Sequence, residues 1–111
     1  MNDRKIKFIC NAVKWFDKVN GNTYHSVRIT RCKDGKIIVG VHPPYEYGYG
    51  DQYRYTAFEA MSKAKWLPVK YRGSHENGFP KAGAYERENN YPIEWNVQDG
   101  KKRDMIANGT L

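Results

Sequence analysis

The sequence is poor in the side chains that build reactive or metal-bound sites. Two cysteines, Cys10 and Cys32, are too few for a disulfide framework. The three histidines, His25, His42 and His75, stand far apart, and no Cys-x-x-Cys, His-x-x-x-His or His-x-x-Glu spacing assembles a metal set. There is no Gly-x-Ser-x-Gly elbow, and no carboxylate pair stands out for acid–base work. The expectation is a non-enzymatic protein without catalytic residues, metal or cofactor. An enzyme would need His25 to converge with Cys10 or an acid in a pocket. No apolar run approaches the roughly 18 residues of a membrane span, and Met1-Asn2-Asp3-Arg4-Lys5-Ile6-Lys7 lacks the apolar stretch of a secretion signal. A soluble, intracellular chain is expected.

What the sequence does have is positive charge and tyrosine. Nineteen Lys and Arg stand against twelve Asp and Glu in 111 residues, a formal charge of +7. Nearly all of it lies in residues 1–36, where nine bases (Arg4, Lys5, Lys7, Lys14, Lys18, Arg28, Arg31, Lys33, Lys36) face three acids (Asp3, Asp17, Asp34). Whatever acidic surface the protein meets should meet that part. Nine Tyr, four Phe and three Trp are far too many aromatics for a disordered polyelectrolyte, and the length suits one domain, residues 1–111.

Alternation of apolar and polar residues predicts a strand from Lys5 to Phe16 (Ile6, Phe8, Cys10, Ala12) and another from Thr23 to Arg31 (Val27, Ile29). A β-branched strand from Lys36 to Val41 follows. A two-residue Asn20-Gly21 turn sets Ala12 opposite Ile29, Cys10 opposite Arg31 and Phe16 opposite His25, so His25 should lie near the core. For the second hairpin, a three-residue loop with Gly35 left-handed pairs Val27 with Val41, Ile29 with Val39 and Arg31 with Ile37. A two-residue loop would mix the faces. One face then carries Phe8, Ala12, Ile29, Ile37, Val39 and Val41. The other carries Lys5, Lys7, Asn11, Trp15, Tyr24, Arg28, Thr30 and Lys36. Lys14 and Arg31 fall on the core side and must escape at its margins, and Cys10 and Cys32 point to opposite faces.

His42-Pro43-Pro44 ends the third strand. Asp51 can cap a helix reaching about Leu67, with the stripe Tyr53, Ala57, Ala60/Met61, Ala64, Leu67 and a stop at Pro68. Residues 68–91 read as a long irregular segment that packs through Tyr71, Phe79, Tyr85 and Tyr91. Ile93, Trp95 and Val97 mark a fourth strand, followed by Asp99-Gly100 and the basic run Lys101-Lys102-Arg103. The expected fold is α+β, in β-β-β-α-β order, with an antiparallel sheet of about four strands and one main helix on one face.

On the basic, aromatic strand face, Lys and Arg neutralise phosphates and Trp15 and Tyr24 can stack on bases. The alternative reading buries Trp15 and Val13 beneath the 68–91 segment and leaves the lysines solvated. The run Tyr45-Glu46-Tyr47-Gly48-Tyr49-Gly50-Asp51-Gln52-Tyr53-Arg54-Tyr55 holds five tyrosines. It is either a self-packed loop or a protein-binding surface, since Tyr offers contact area with few torsions to freeze.

Trp15-Phe16-Asp17, Gly21-Asn22-Thr23-Tyr24-His25-Ser26-Val27 and Tyr47-Gly48-Tyr49-Gly50-Asp51-Gln52-Tyr53 with Thr56-Ala57 resemble small uncharacterised proteins encoded by bacteriophages and prophages. The resemblance implies a viral origin, work in the cytoplasm of a bacterial host cell, and an accessory role such as anti-CRISPR-like inhibition of a defence nuclease. Residues 23–67 also resemble, in topology, the later part of double-stranded-RNA-binding domains. There the family's helix-leading lysine pair corresponds to Asp51-Gln52-Tyr53-Arg54, leaving Arg54 as the phosphate contact. The expected contacts are therefore Lys5, Lys7, Trp15, Tyr24 and Arg28, with Arg54 added. The expected partner is nucleic acid, or a nucleoprotein or acidic protein surface, with no membrane. The competing reading is a protein–protein module, a homodimer included, built on the Tyr-rich loop.

Overall fold

Two aspartates set the strand register. In the first turn the Asp17 carboxylate accepts the Val19 and Asn20 backbone N–H groups (3.0 and 3.3 Å) and the Asn20 side-chain amide (2.8 Å). These bonds hold Lys18–Gly21 as a four-residue turn instead of the two-residue one expected. The computed structural model, which describes residues 5–40, 45–48, 50–73 and 80–111, accordingly pairs β1 (Phe8–Asp17) with β2 (Asn22–Arg31) two residues away from expectation. Ala12 meets Val27, Cys10 meets Ile29, and Phe16 meets Thr23, while His25 stands opposite Lys14. A slip of two residues preserves the faces, so His25 is buried even though its partner differs.

In the second turn Asp34 receives Arg31 in a two-point grip (Nε–Oδ1 3.1 Å, Nη2–Oδ2 2.7 Å) and accepts the Lys36 N–H at 3.2 Å. Gly35 takes the expected left-handed conformation, φ 71°. The loop nevertheless holds four residues, Cys32 to Gly35, because the Arg31 N–H donates to the Lys36 carbonyl. That one-residue change turns β3 (Ile37–Val39) over. Ile38, opposite Ile29, packs on the core, while Ile37 and Val39 join Thr30 and Arg28 on the outer face. Lys36 stands opposite Arg31 on the core side, away from the outer face where it was expected. Val41, the His42-Pro43-Pro44 stop, Tyr49, His75 and Phe79 lie outside the described residues.

The sheet has five strands and is mixed, correcting the expected antiparallel one. β5 (Ile93–Asp99) runs parallel to β1, giving the order β3-β2-β1-β5, and the two-residue β4 (Glu46–Tyr47) pairs with β2. Among the described residues three α-helices stand where one was expected: α1 (Gln52–Lys63), α2 (Ala82–Glu88) and α3 (Lys102–Asn108). The α+β class holds; the finer architecture differs.

The core face of the sheet carries Phe8, Cys10, Ala12, Val27, Ile29 and Ile93. It packs beneath Tyr53, Ala57, Phe58, Ala60 and Met61 of α1, with Leu67, Tyr71 and Tyr85 closing one end. The segment 68–91 is thus not irregular throughout. A three-ten turn (Val69–Tyr71) and α2 bring Tyr71 and Tyr85 edge to face at 5.2 Å, and Tyr85 meets Phe58 at 6.1 Å. Tyr91, expected to pack, is half exposed. Asp51 precedes α1 without capping it by its side chain. The helix stops four residues short of Leu67 because Lys65 turns left-handed (φ 62°), and the Lys65 and Trp66 N–H groups return to the Ser62 and Met61 carbonyls at 3.1 and 2.9 Å. That closure ordinarily uses glycine.

The expected C-terminal tail is α3, and it lies on the outer face. Asp104 accepts the Lys101 N–H at 3.0 Å and starts the helix. Gly100 donates to the Lys14 carbonyl, and a β-carbon on it would come 3.0 Å from a Val13 methyl, so the chain passes close over the sheet there. Met105 is then fully buried, and Val13 and Ser26 on the outer face of the strands are buried as well. Ser26 donates to the Met105 carbonyl at 2.6 Å, and the Asn108 amide reaches the Asn11 carbonyl at 3.0 Å. What covers Val13 is this helix and not the 68–91 segment.

Candidate anion-binding groove and aromatic cluster

At the Phe8 end of the sheet the chain leaves an open groove of about 660 Å³. Lys5, Lys7, Arg31, Lys33 and Lys65 line it together with Trp66, Phe8, Cys32 and Pro68, and among the described residues no carboxylate lines it. Three segments converge there because the β1–β2 ladder continues past the strands. Cys32 donates to the Lys7 carbonyl (2.9 Å), and the Pro92 carbonyl accepts both Lys7 and Phe8 N–H groups (2.8 and 3.2 Å). The left-handed Lys65 turns the end of α1 toward the same place. Trp66 stacks on Phe8 at 5.8 Å, and the Arg31 guanidinium lies 4.6 Å from its ring centre. Arg31 is partly neutralised by Asp34, whose carboxyl it holds down at about 2. Lys5, Lys7, Lys33 and Lys65 make no ion pair among the described residues.

At the other end of the hairpin Trp15 and Tyr24 stack at 5.7 Å, opposite one another in register. The Tyr45 and Tyr47 rings stand close to perpendicular to Tyr24 at 5.7 and 5.8 Å, so part of the tyrosine-rich loop folds onto the strand face. The Lys102 ammonium sits 5.5 Å over Trp15. β4 is held in place by His25, which is completely buried. Its Nδ1–H donates to the Gly48 carbonyl at 3.2 Å, leaving Nε2 to accept the Thr56 hydroxyl at 2.6 Å. Burial lowers the His25 pKa, and the Lys14 charge adds to the effect. His25 therefore meets Thr56 and not Cys10. The Cys10 thiol, buried in the core, is pushed up to about 12 by burial and stays protonated.

The expected contact residues do not form one patch. Lys5 and Lys7 belong to the groove, and Trp15 and Tyr24 to the cluster. Arg28 lies between them, donating to the Thr110 carbonyl at 3.0 Å. Arg54 is on the other side of the sheet, 5.1 Å over Trp95 and 3.8 Å from Glu86. Lys14 and Arg31 leave the core side over aromatic rings, Lys14 5.3 Å from the centre of Tyr53 and Arg31 on Trp66. Lys33, Lys65, Trp66 and Lys102 complete the two sites. Lys33 follows from the correct hairpin register, which sets Cys32 against Lys7. Lys65 and Trp66 carry no sequence signal, since the apolar stripe runs through them as helix.

Among the described residues no group of three His, Cys, Asp or Glu is placed to hold a metal ion, and no helix is long and apolar enough to cross a membrane. The fold and groove define a mixed-sheet α+β protein with a cationic groove. No family model, curated protein or solved structure matches the chain.

Proposed function

We propose that the protein is a small non-enzymatic accessory factor that binds nucleic acid, free or in a nucleoprotein, through the groove of Lys5, Lys7, Lys33 and Lys65. The carrying observation is four lysines that, among the described residues, make no ion pair and line one concavity with no described carboxylate on its wall. Cations so placed are not spent on internal pairs, and each one that neutralises a phosphate releases a condensed counterion. The resemblance to phage-encoded proteins puts this binding in a bacterial host, with an accessory role such as inhibition of a defence nuclease.

Binding of a labelled random oligonucleotide of about 20 residues, titrated from about 50 to 200 mM salt, tests the reading. Affinity is expected to fall linearly on logarithmic axes. Lys7→Ala with Lys33→Ala should reduce that slope by about 1.5, from 0.7–0.9 per phosphate contact. No binding at the lowest salt would refute it.

A further inference from the structure

We propose that the cluster of Trp15, Tyr24, Tyr45 and Tyr47 is a second contact, which stacks the bases of single-stranded nucleic acid whose phosphates engage the groove. The inference rests on the groove reading and adds the form of the ligand. Seven residues of β1 separate Phe8, at the groove, from Trp15, about 23 Å at strand rise. Arg28 projects from the outer face between them. Around the cluster the charges are mixed: Lys102 stands over Trp15, but Asp17 feels the Lys102 charge and Asp104 starts the same helix. This end therefore does little to draw in phosphates. What it offers is ring surface, because Tyr47 is 60% exposed while its ring is held near-perpendicular to Tyr24 at 5.8 Å. Bases paired in a duplex are stacked on one another and present no free face to such a ring, whereas unpaired bases do.

Three probes of equal length separate the possibilities with the intact chain: a single strand, an abasic strand with the same phosphates, and a duplex. The single strand is expected to bind about five- to tenfold more tightly than the abasic strand, at the lower end of ring–base stacking. Tyr47→Ala should erase that preference and leave the salt slope unchanged. Tyr47 is exposed enough for the variant to fold, which circular dichroism checks. Equal affinity for the single and abasic strands, or a preference for the duplex, would overturn the proposal. So would an unaffected Tyr47→Ala, or a change of oligomeric state in that variant, which would make the cluster a protein contact. Failure of all three probes to bind would instead remove the groove reading beneath it.

Discussion

The two ends of the β1–β2 hairpin carry opposite kinds of chemistry on the same pair of strands. At the Phe8 end, lysines without ion pairs among the described residues gather around a groove, with Asp34 engaged by Arg31 beside it. At the Trp15 end, rings gather and charges of both signs stand near them. A net charge of +7 describes neither end by itself. Long-range attraction belongs to the first, where like charges add. Short-range discrimination belongs to the second, where a ring must meet a particular surface at contact distance.

Perturbations that reach one end and spare the other sharpen this contrast. The largest effect is expected from Gly48→Ala. Gly48 has φ 152°, and a β-carbon there would run into Gln52, 2.9 Å from its Cβ. A cost of about 2–4 kcal/mol, read by denaturant unfolding, is expected from strain and overpacking together. The damage should centre on β4 and on the packing of Tyr45 and Tyr47 against Tyr24. Unchanged stability would mean that β4 is not anchored through Gly48.

Acid should also act on the aromatic end first. The pKa of His25 is lowered in the fold, so the unfolded chain takes up a proton near pH 6.5 while the folded one resists. Stability is therefore expected to fall as pH drops below about 6.5, by at most about 1.4 kcal/mol per pH unit. His25→Asn should flatten that part of the profile. The Asp34–Arg31 latch beside the groove behaves differently. Its carboxyl titrates at about 2, so its stabilisation is complete above the usual carboxylate range and is lost only as pH falls toward 2. A profile that first bends below pH 4 would contradict the assignment to His25.

The smallest effect has the more informative sign. Lys65 occupies a left-handed position that glycine prefers, so Lys65→Gly should stabilise the fold by about 1 kcal/mol while weakening nucleic-acid binding. Thermal unfolding and the salt titration measure the two together. A stabilised variant with undiminished affinity would take Lys65 out of the site.

The strands were legible in the sequence because alternation survives a slip of two residues. Phe8, Cys10, Ala12, Val27 and Ile29 reach the core despite a different turn length. Turn length itself was not legible, since Asp17 and Asp34 hold four-residue turns through side-chain bonds that the Asn-Gly and Asp-Gly signals do not report. That is why β3 was assigned to the wrong face. The parallel docking of β5 and the cover of α3 depend on contacts between distant segments, among them Ser26 with Met105. Of the site, Lys5, Lys7, Trp15 and Tyr24 were readable as residues, but their division between two ends was not.

The Pro92 carbonyl, shared by the Lys7 and Phe8 N–H groups, bears on the order of assembly. Trp15 and Tyr24 are 9 residues apart in the chain, while Lys7 and Pro92 are 85 apart. Closing the longer loop costs about 2 kcal/mol more chain entropy than closing the shorter one. The Trp15–Tyr24 pair can thus form from a local hairpin alone. The cationic groove takes its shape only once the last third of the chain has come home to the first strand.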